Sequence, residues 1–171
     1  MVDVVTSSGD PRLKCFALAV GVVGLDRIAK SLVERYVSFS DDYRIIPGLF
    51  DIVHSENRGV AFGVFNDSES PWRTMLLIVL SIAAVIGVSA MLWRAKRLDG
   101  FLCWAFALIL GGAAGNLYDR IASGRVTDFL LFYIGQYQWP SFNVADSAIV
   151  IGCSLLIVDQ LRGKHGNANV S

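Results

Sequence analysis

Three stretches of this chain are long enough to cross a lipid bilayer and carry almost no charge. Residues 75–93 and 100–118 contain no Asp, Glu, Lys or Arg, and residues 140–158 contain one, Asp146. A helix rises about 1.5 Å per residue, so roughly 20 residues cover a hydrocarbon core about 30 Å thick. Backbone amides find no water in lipid, and segments of this length satisfy their hydrogen bonds internally as helices. A fourth segment, 13–37, is weaker. It is charge-free only over 15–25 and then meets Asp26, Arg27 and Lys30. It spans only if those residues lie within the helix, facing the protein interior or a wet cavity. The expected fold is an all-α membrane protein with four transmembrane helices, about 13–37, 72–93, 100–118 and 140–160. Residues 1–171 then form one domain, with outer loops about 38–71 and 119–139 carrying a small extracytoplasmic β or loop element.

The placement of charge orients the chain. Arg12 and Lys14 precede the first helix, Arg94, Lys96 and Arg97 fill the turn between the second and third, and Arg162 and Lys164 follow the fourth. With four spans these fall on one side, assigned to the cytoplasm, so both termini are expected there. Trp72, Trp93 and Trp139 fall near the membrane interfaces, as an aromatic belt would place them. A net charge of zero offers no broad basic surface for nucleic acid. The apolar run after Lys14 resembles a secretory signal but has no small-residue cleavage site, so it is taken as a retained first helix. Residues 43–54 are rich in aliphatic and aromatic side chains around a Pro47-Gly48 turn, and 60–65 form another short apolar run. Small strands or an interfacial helix are expected there. Cys15, Cys103 and Cys153 lie far apart without CxxC spacing and are expected to be buried, small apolar side chains. His54 and His165 belong to no metal motif, so neither metal nor cofactor is expected.

Polar residues gather at one depth. Asp26 and Lys30 lie in the outer half of the first helix, Asn116 near the outer end of the third, and Arg120 just beyond. Asn143 and Asp146 lie in the first two turns of the fourth, with Asp146 about 9 Å in. Asp26 and Lys30, like Asn116 and Arg120, are spaced i,i+4, and Asn143 and Asp146 i,i+3, so each pair shares a helix face. Gly111 and Gly115 form a GxxxG surface one turn from Asn116 that allows close helix approach. Asp128 lies in the outer connection among apolar neighbours that hold it toward the membrane. Each group has a plainer role open to it: Asp26–Lys30 as a structural ion pair, Arg120 as an interfacial anchor, Asn116 as interhelical glue.

The residues alone leave three other functions open. An ion-coupled transporter also buries Asp, Lys and Asn, but tends to carry repeats and a midplane site. Here there is no detectable repeat, and the cluster lies toward one face. A noncatalytic scaffold explains GxxxG but not two aspartates in separate apolar contexts. A serine intramembrane protease needs a Ser–His pair on membrane segments, whereas His54 is in the outer loop and His165 in the tail.

The blocks Asn57-Arg58-Gly59-Val60-Ala61-Phe62-Gly63, Gly111-Gly112-Ala113-Ala114-Gly115-Asn116, Asp119-Arg120, Val126-Thr127-Asp128-Phe129 and Phe142-Asn143-Val144-Ala145-Asp146 occur in this order. With Asp26 and Lys30, they resemble the motifs of signal peptidase II, the bacterial prolipoprotein signal peptidase, from about residue 26 to 149. The resemblance implies an aspartic endopeptidase of the bacterial inner membrane, with its active site toward the extracytoplasmic side. It would cleave diacylglyceryl-modified lipoprotein precursors just before the lipidated cysteine. By motif position, Asp128 and Asp146 would be the catalytic pair. Asn57, Gly59, Asn116, Arg120 and Asn143 would bind substrate or support the site, and Asp26 and Lys30 would be structural. The implied partners are prolipoproteins and membrane lipid, with no cofactor and no nucleic acid, and the enzyme would be a monomer. Thr127 departs from the pattern, which has an aliphatic residue there, but leaves Asp128 aligned.

The charge distribution predicts that a thiol-reactive probe applied outside intact cells fails to label a cysteine placed after Gly163. Labelling from the outside would reverse the topology.

Overall fold

The computed structural model describes residues 10–59, 71–95 and 98–168. The apolar run at 60–65, the rest of the motif that opens with Asn57-Arg58-Gly59, and Lys96 and Arg97 lie outside the described residues. Helix α1 (Pro11–Tyr36) starts at Asp10, whose carboxylate accepts from the Arg12 amide at 2.9 Å, with Pro11 at the first helical position. Strands β1 (Tyr43–Ile46) and β2 (Phe50–Asn57) follow, then α2 (Pro71–Arg94) and α3 (Gly100–Ser123). Strands β3 (Val126–Ile134) and β4 (Tyr137–Gln138) lead to α4 (Val144–Ala168).

Among the described residues three helices are long and apolar enough to cross a membrane: α2, α3 and α4. The molecule is thus a multi-pass membrane protein, mostly helical, with a small antiparallel sheet. Helix α3 is the centre: 56% of its apolar window is buried, against 11% for α2 and 17% for α4. Large apolar side chains of α2 such as Met75, Val79 and Ile86 point outward, as a lipid-facing surface requires. Helix α1 is as long, but carries charges at mid-length. Its Val20, Leu25, Ile28 and Leu32 are exposed, whereas Asp26 and Lys30 are fully buried.

Contacts along the helices set their directions. Cys15 near the start of α1 meets Cys103 near the start of α3, and Lys30 meets Asp119 further along both, so α1 and α3 run parallel. Gly112 of α3 faces Ala145 at the start of α4, and Gly152 further along α4 faces Ala105, so these two run antiparallel. Arg12 lies over the ring of Trp93, placing the end of α2 beside the start of α1. The close crossings depend on missing side chains. A Cβ on Gly111 would lie 2.7 Å from the Ala19 carbonyl oxygen, and one on Gly112 would fall on the Ala145 carbonyl oxygen.

The sheet runs β1-β2-β3-β4 and is antiparallel throughout. Ile52 pairs with Leu130 but Ser55 with Asp128, so β2 carries one extra residue as a bulge. Beyond it Asn57 pairs with Val126, which puts Asn57 diagonally across from Asp128.

Three boundaries differ from the sequence-based expectation, one of them the end of α4, which runs to Ala168 rather than about 160. Helix α3 continues past 118 to Ser123 and ends at Gly124 in the left-handed region (φ 72°), so Asp119 and Arg120 are helical. Helix α4 begins at Val144 rather than near 140. Phe142 instead exchanges backbone hydrogen bonds with Leu130 at 2.8 and 3.1 Å, so the preceding segment extends the sheet. Asp146 therefore sits in the first turn of α4, not about 9 Å into it. The expectation for the cysteines is also corrected. Cys15 and Cys103 are buried but joined as a disulfide, and Cys153 is exposed. The short strands expected around the Pro47-Gly48 turn are β1 and β2.

Gly112→Ala should lower stability in detergent by roughly 1–3 kcal/mol, because α3 and α4 must part to admit a methyl group. Gly87→Ala, with nothing within 4 Å of its added Cβ, should not lower it. Equal melting temperatures for the two variants would contradict the α3–α4 crossing.

Candidate active site

The start of β3, the start of α4 and the C-terminal halves of α1 and α3 meet around three asparagines. Asp128 is 2% exposed. Its Oδ1 accepts from the Asn143 side-chain amide at 2.6 Å and its Oδ2 from the Asn57 amide at 3.0 Å. Asp146 is half-buried. Its Oδ1 accepts from the Asn116 side chain at 2.8 Å and its Oδ2 from the Asn143 backbone N–H at 3.3 Å. Each carboxylate thus has two amide donors, and Asn143 serves both.

Local sequence explains why Asn143 can do so. It is the residue before α4, and its Oδ1 accepts from the Asp146 backbone N–H at 2.9 Å while Asp146 reaches back to the Asn143 N–H. This reciprocal pair is a capping box built from Asn and Asp. The Phe142–Leu130 backbone pairing, two residues from Asp128, then brings the Asn143 side chain to the Asp128 carboxylate.

Beneath the aspartates lies a buried ionic cluster. The Lys30 ammonium donates to Asp26 Oδ2 at 2.7 Å, Asp119 Oδ2 at 2.6 Å and Asn116 Oδ1 at 3.1 Å, so its three N–H bonds are all used. The Asp26 Oδ1 accepts from the Ala145 backbone N–H at 2.9 Å, at the start of α4. Asp119 also pairs with Arg27, which lies over the Tyr118 ring. With its carbonyl fixed on Lys30, the Asn116 amide has its NH2 turned toward Asp146. Arg120 donates to the Gly59 carbonyl at 3.3 Å and to the Asn116 carbonyl at 3.4 Å. Asn57 Oδ1 accepts from the Gly59 N–H at 2.8 Å.

Both aspartates line one cavity of about 250 Å³ together with Asn57, Asn116 and Arg120. The rest of its wall is mostly aliphatic, with Ser81 as its one hydroxyl: Leu77, Leu80, Ser81 and Ala84 from α2, Ala113 from α3 and Ile149 from α4. Burial, and then the nearby charge of Asp146, push the Asp128 carboxyl up to about 7, against the opposing pull of the Asn57 and Asn143 hydrogen bonds and of Lys30. Two carboxyls on one cavity, one of them half-protonated near neutrality, can hold and move a proton across a bound water.

All the sequence-derived site residues converge here, but in two layers. Asp128, Asp146, Asn57, Asn116 and Arg120 reach the cavity, Asn143 bridges the aspartates from behind, Gly59 holds Arg120 and Asn57, and Asp26 and Lys30 lie below Asn116. Asp119 was missed. Its signal was its i,i+3 spacing from Asn116 next to a helix whose lone buried lysine had more than one carboxylate within reach. His54, although next to Ser55, which pairs with Asp128, is turned to other partners: its Nδ1 lies 2.8 Å from the Val37 carbonyl and its ring stacks on Phe39. Thr127 donates its hydroxyl to Glu34 at 2.7 Å, which gives the departing side chain a partner on α1.

Residues 18–162 match the family model described as "Signal peptidase (SPase) II". The chain is 59% identical over 162 residues to the lipoprotein signal peptidase of Solibacter usitatus (strain Ellin6076), covering 95% of this chain and 99% of that one. It is 45% identical over 145 residues to the lipoprotein signal peptidase of Nitratidesulfovibrio vulgaris (strain DP4), covering 85% and 87%. A bacterial membrane enzyme solved at 2.3 Å by the in meso method superposes with a TM-score of 0.79 at 28% identity, over 88% of this chain and 89% of that one.

Lys30→Met should destabilise the protein by roughly 3–5 kcal/mol, since Asp26 and Asp119 would stay buried beside a lost ammonium. Thermal unfolding in detergent measures this. An unchanged melting temperature would mean that the cluster is not buried as described.

Proposed function

The chain belongs to the signal peptidase II family, and on that premise we propose that Asp128 and Asp146 are its catalytic pair. The enzyme is an aspartic endopeptidase that cleaves the signal peptide from diacylglyceryl-modified lipoprotein precursors, just before the lipidated cysteine. The observation that carries the site assignment is the placing of both carboxyls on one cavity, each held by two amides. Asp128, the deeper group, carries the shared proton at rest. Asp146 in its ionised form takes a proton from a water held between them, while Asp128 donates its proton to the scissile carbonyl and polarises it. The hydroxyl adds to the carbonyl carbon. Asp146 then gives its proton to the leaving amine while Asp128 takes one back from a hydroxyl of the tetrahedral intermediate, and the C–N bond breaks.

The surrounding residues have roles in keeping. Asn57, Asn116 and Asn143 orient the carboxylates, and Arg120 with Gly59 fixes the segment that enters the outer loop. Asp26 and Lys30 are structural and set the amide of Asn116. Helix α1 is the fourth span, with Asp26 and Lys30 turned from lipid. The single domain of residues 1–171 sits in the bacterial inner membrane, with both termini cytoplasmic and the aspartates toward the outer face. It acts as a monomer, with membrane lipid as its surroundings and neither nucleic acid nor cofactor as a partner. Among the described residues α2 packs on α3 and barely touches α4, which leaves a lateral way for a signal helix to enter the cavity from the bilayer.

Asp128→Asn and Asp146→Asn should each lower kcat by about 10²–10⁴-fold on a lipid-modified precursor. The double variant should lose little more, because the two groups act as a unit. Gel-shift cleavage with purified protein tests this. Near-wild-type turnover by either well-folded variant would remove the aspartic mechanism.

The pH dependence has a definite sign. Because the Asp128 carboxyl is raised to about 7, kcat/KM should fall as pH rises through that region and its proton is lost. On the acid side it should fall when the pair takes up a second proton. A profile that keeps rising to pH 9 would contradict this assignment.

A further inference from the structure

Asp146 borders two hollows. One is the cavity between α2, α3 and α4. The other is an apolar groove of about 330 Å³ on the outer flank of α4, lined by Trp139, Phe142, Asp146, Ser147, Val150 and Ile151. Helical spacing separates them: Ile149 turns from Asp146 into the cavity, whereas Val150 and Ile151 carry the groove down the other side. Above, Trp139 and Phe142 are shared with a second apolar hollow of about 330 Å³ that runs under the sheet past Phe132. We propose that this groove on α4 holds the acyl chains of the substrate's diacylglyceryl cysteine, while the signal peptide occupies the cavity. The proposal rests on the peptidase reading above and deepens it.

Chemistry sets the distance. The lipidated cysteine supplies the amine of the bond that is cut, and its thioether-linked glycerol is only a few bonds from that nitrogen. The acyl chains must therefore leave within a few ångströms of Asp146. The two hollows differ in what they can accept. The cavity has three helical walls with Ser81, Ala84 and Ala113 at close quarters, which suits a helix approaching small residues. The groove lies along one helix beside Trp139 and Phe142 and its surface is almost wholly apolar, which suits a flexible hydrocarbon chain. Its one hydroxyl, Ser147 Oγ, already donates to the Asn143 carbonyl at 2.9 Å, so a chain laid there strands no donor. Val150 and Ile151 are 56% and 52% exposed, so the groove opens to the bilayer that the chains come from. Cleavage on the ridge between the hollows then sends the two products to opposite sides of α4.

The test uses the full-length enzyme in detergent and a synthetic lipopeptide whose cysteine carries either two palmitoyl or two hexanoyl chains. Val150→Trp should fill the groove and raise KM for the palmitoyl substrate about tenfold, with kcat within about twofold and the hexanoyl substrate unaffected. Ile157→Trp, also exposed on α4 but outside the groove, should leave both unchanged. If Val150→Trp leaves palmitoyl turnover unchanged, or slows both substrates equally, the groove holds only bulk lipid and the proposal is wrong. If the wild-type enzyme cleaves neither substrate, the peptidase reading fails and takes this one with it.

Discussion

A single ammonium organises the half of this molecule that holds the aspartates. Lys30 is wholly buried and gives its three protons to Asp26, Asp119 and Asn116. A lone charge in lipid is expensive, and the cost is offset only when every partner is in place. That requirement ties α1 to α3 directly and, through Asp26 and the Ala145 amide, to the start of α4. Three helices are thus pinned at one height, and the height is that of the aspartates. The GxxxG face does the complementary work: by removing side chains at Gly111, Gly112 and Gly115 it lets the backbones close to where the cluster can form.

Much of this was legible in the sequence because a membrane limits the choices. A charge within an apolar stretch must find a partner, so Asp26, Lys30, Asn116, Asn143 and Asp146 could be grouped by depth alone. What depth could not convey was lateral pairing. The approach of Asn143 to Asp128 depends on the segment before α4 joining β3, and Phe142 carries no mark of that beyond its apolar character. The 140–160 window appeared continuous because hydropathy does not distinguish an extended apolar residue from a helical one. The capping box of Asn143 and Asp146 was visible as an i,i+3 pair, yet its meaning as a helix start required the backbone. Asp119 escaped notice because it sits at a helix end, where a carboxylate is ordinarily at the interface. The Cys15–Cys103 pairing needs more than the shared direction of α1 and α3, which the flanking charges already imply: it depends on which faces of the two helices meet, and composition does not mark that.

The rival functions lose ground for structural reasons. A transporter needs a path through the membrane, whereas the described cavity ends on the mostly aliphatic side chains of α2, α3 and α4. A scaffold has no use for two carboxyls facing a common space with one held near 7. A serine protease would need a histidine at the site, and His54 is instead tied to the backbone of Val37 and stacked on Phe39.

The double duty of Asn143 bears on when this protein becomes dangerous. One side chain finishes the N-terminus of a helix, accepting at 2.9 Å, and holds the far carboxyl at 2.6 Å. Until α4 has formed its first turn and the strand segment before it has docked, neither aspartate has the donor that Asn143 supplies. On the proposed assignment of the two aspartates, a newly inserted chain with its helices still apart lacks the assembled pair and cannot cut the membrane segments around it. Competence then arrives only with the finished fold, and Asn143 acts as its safety catch.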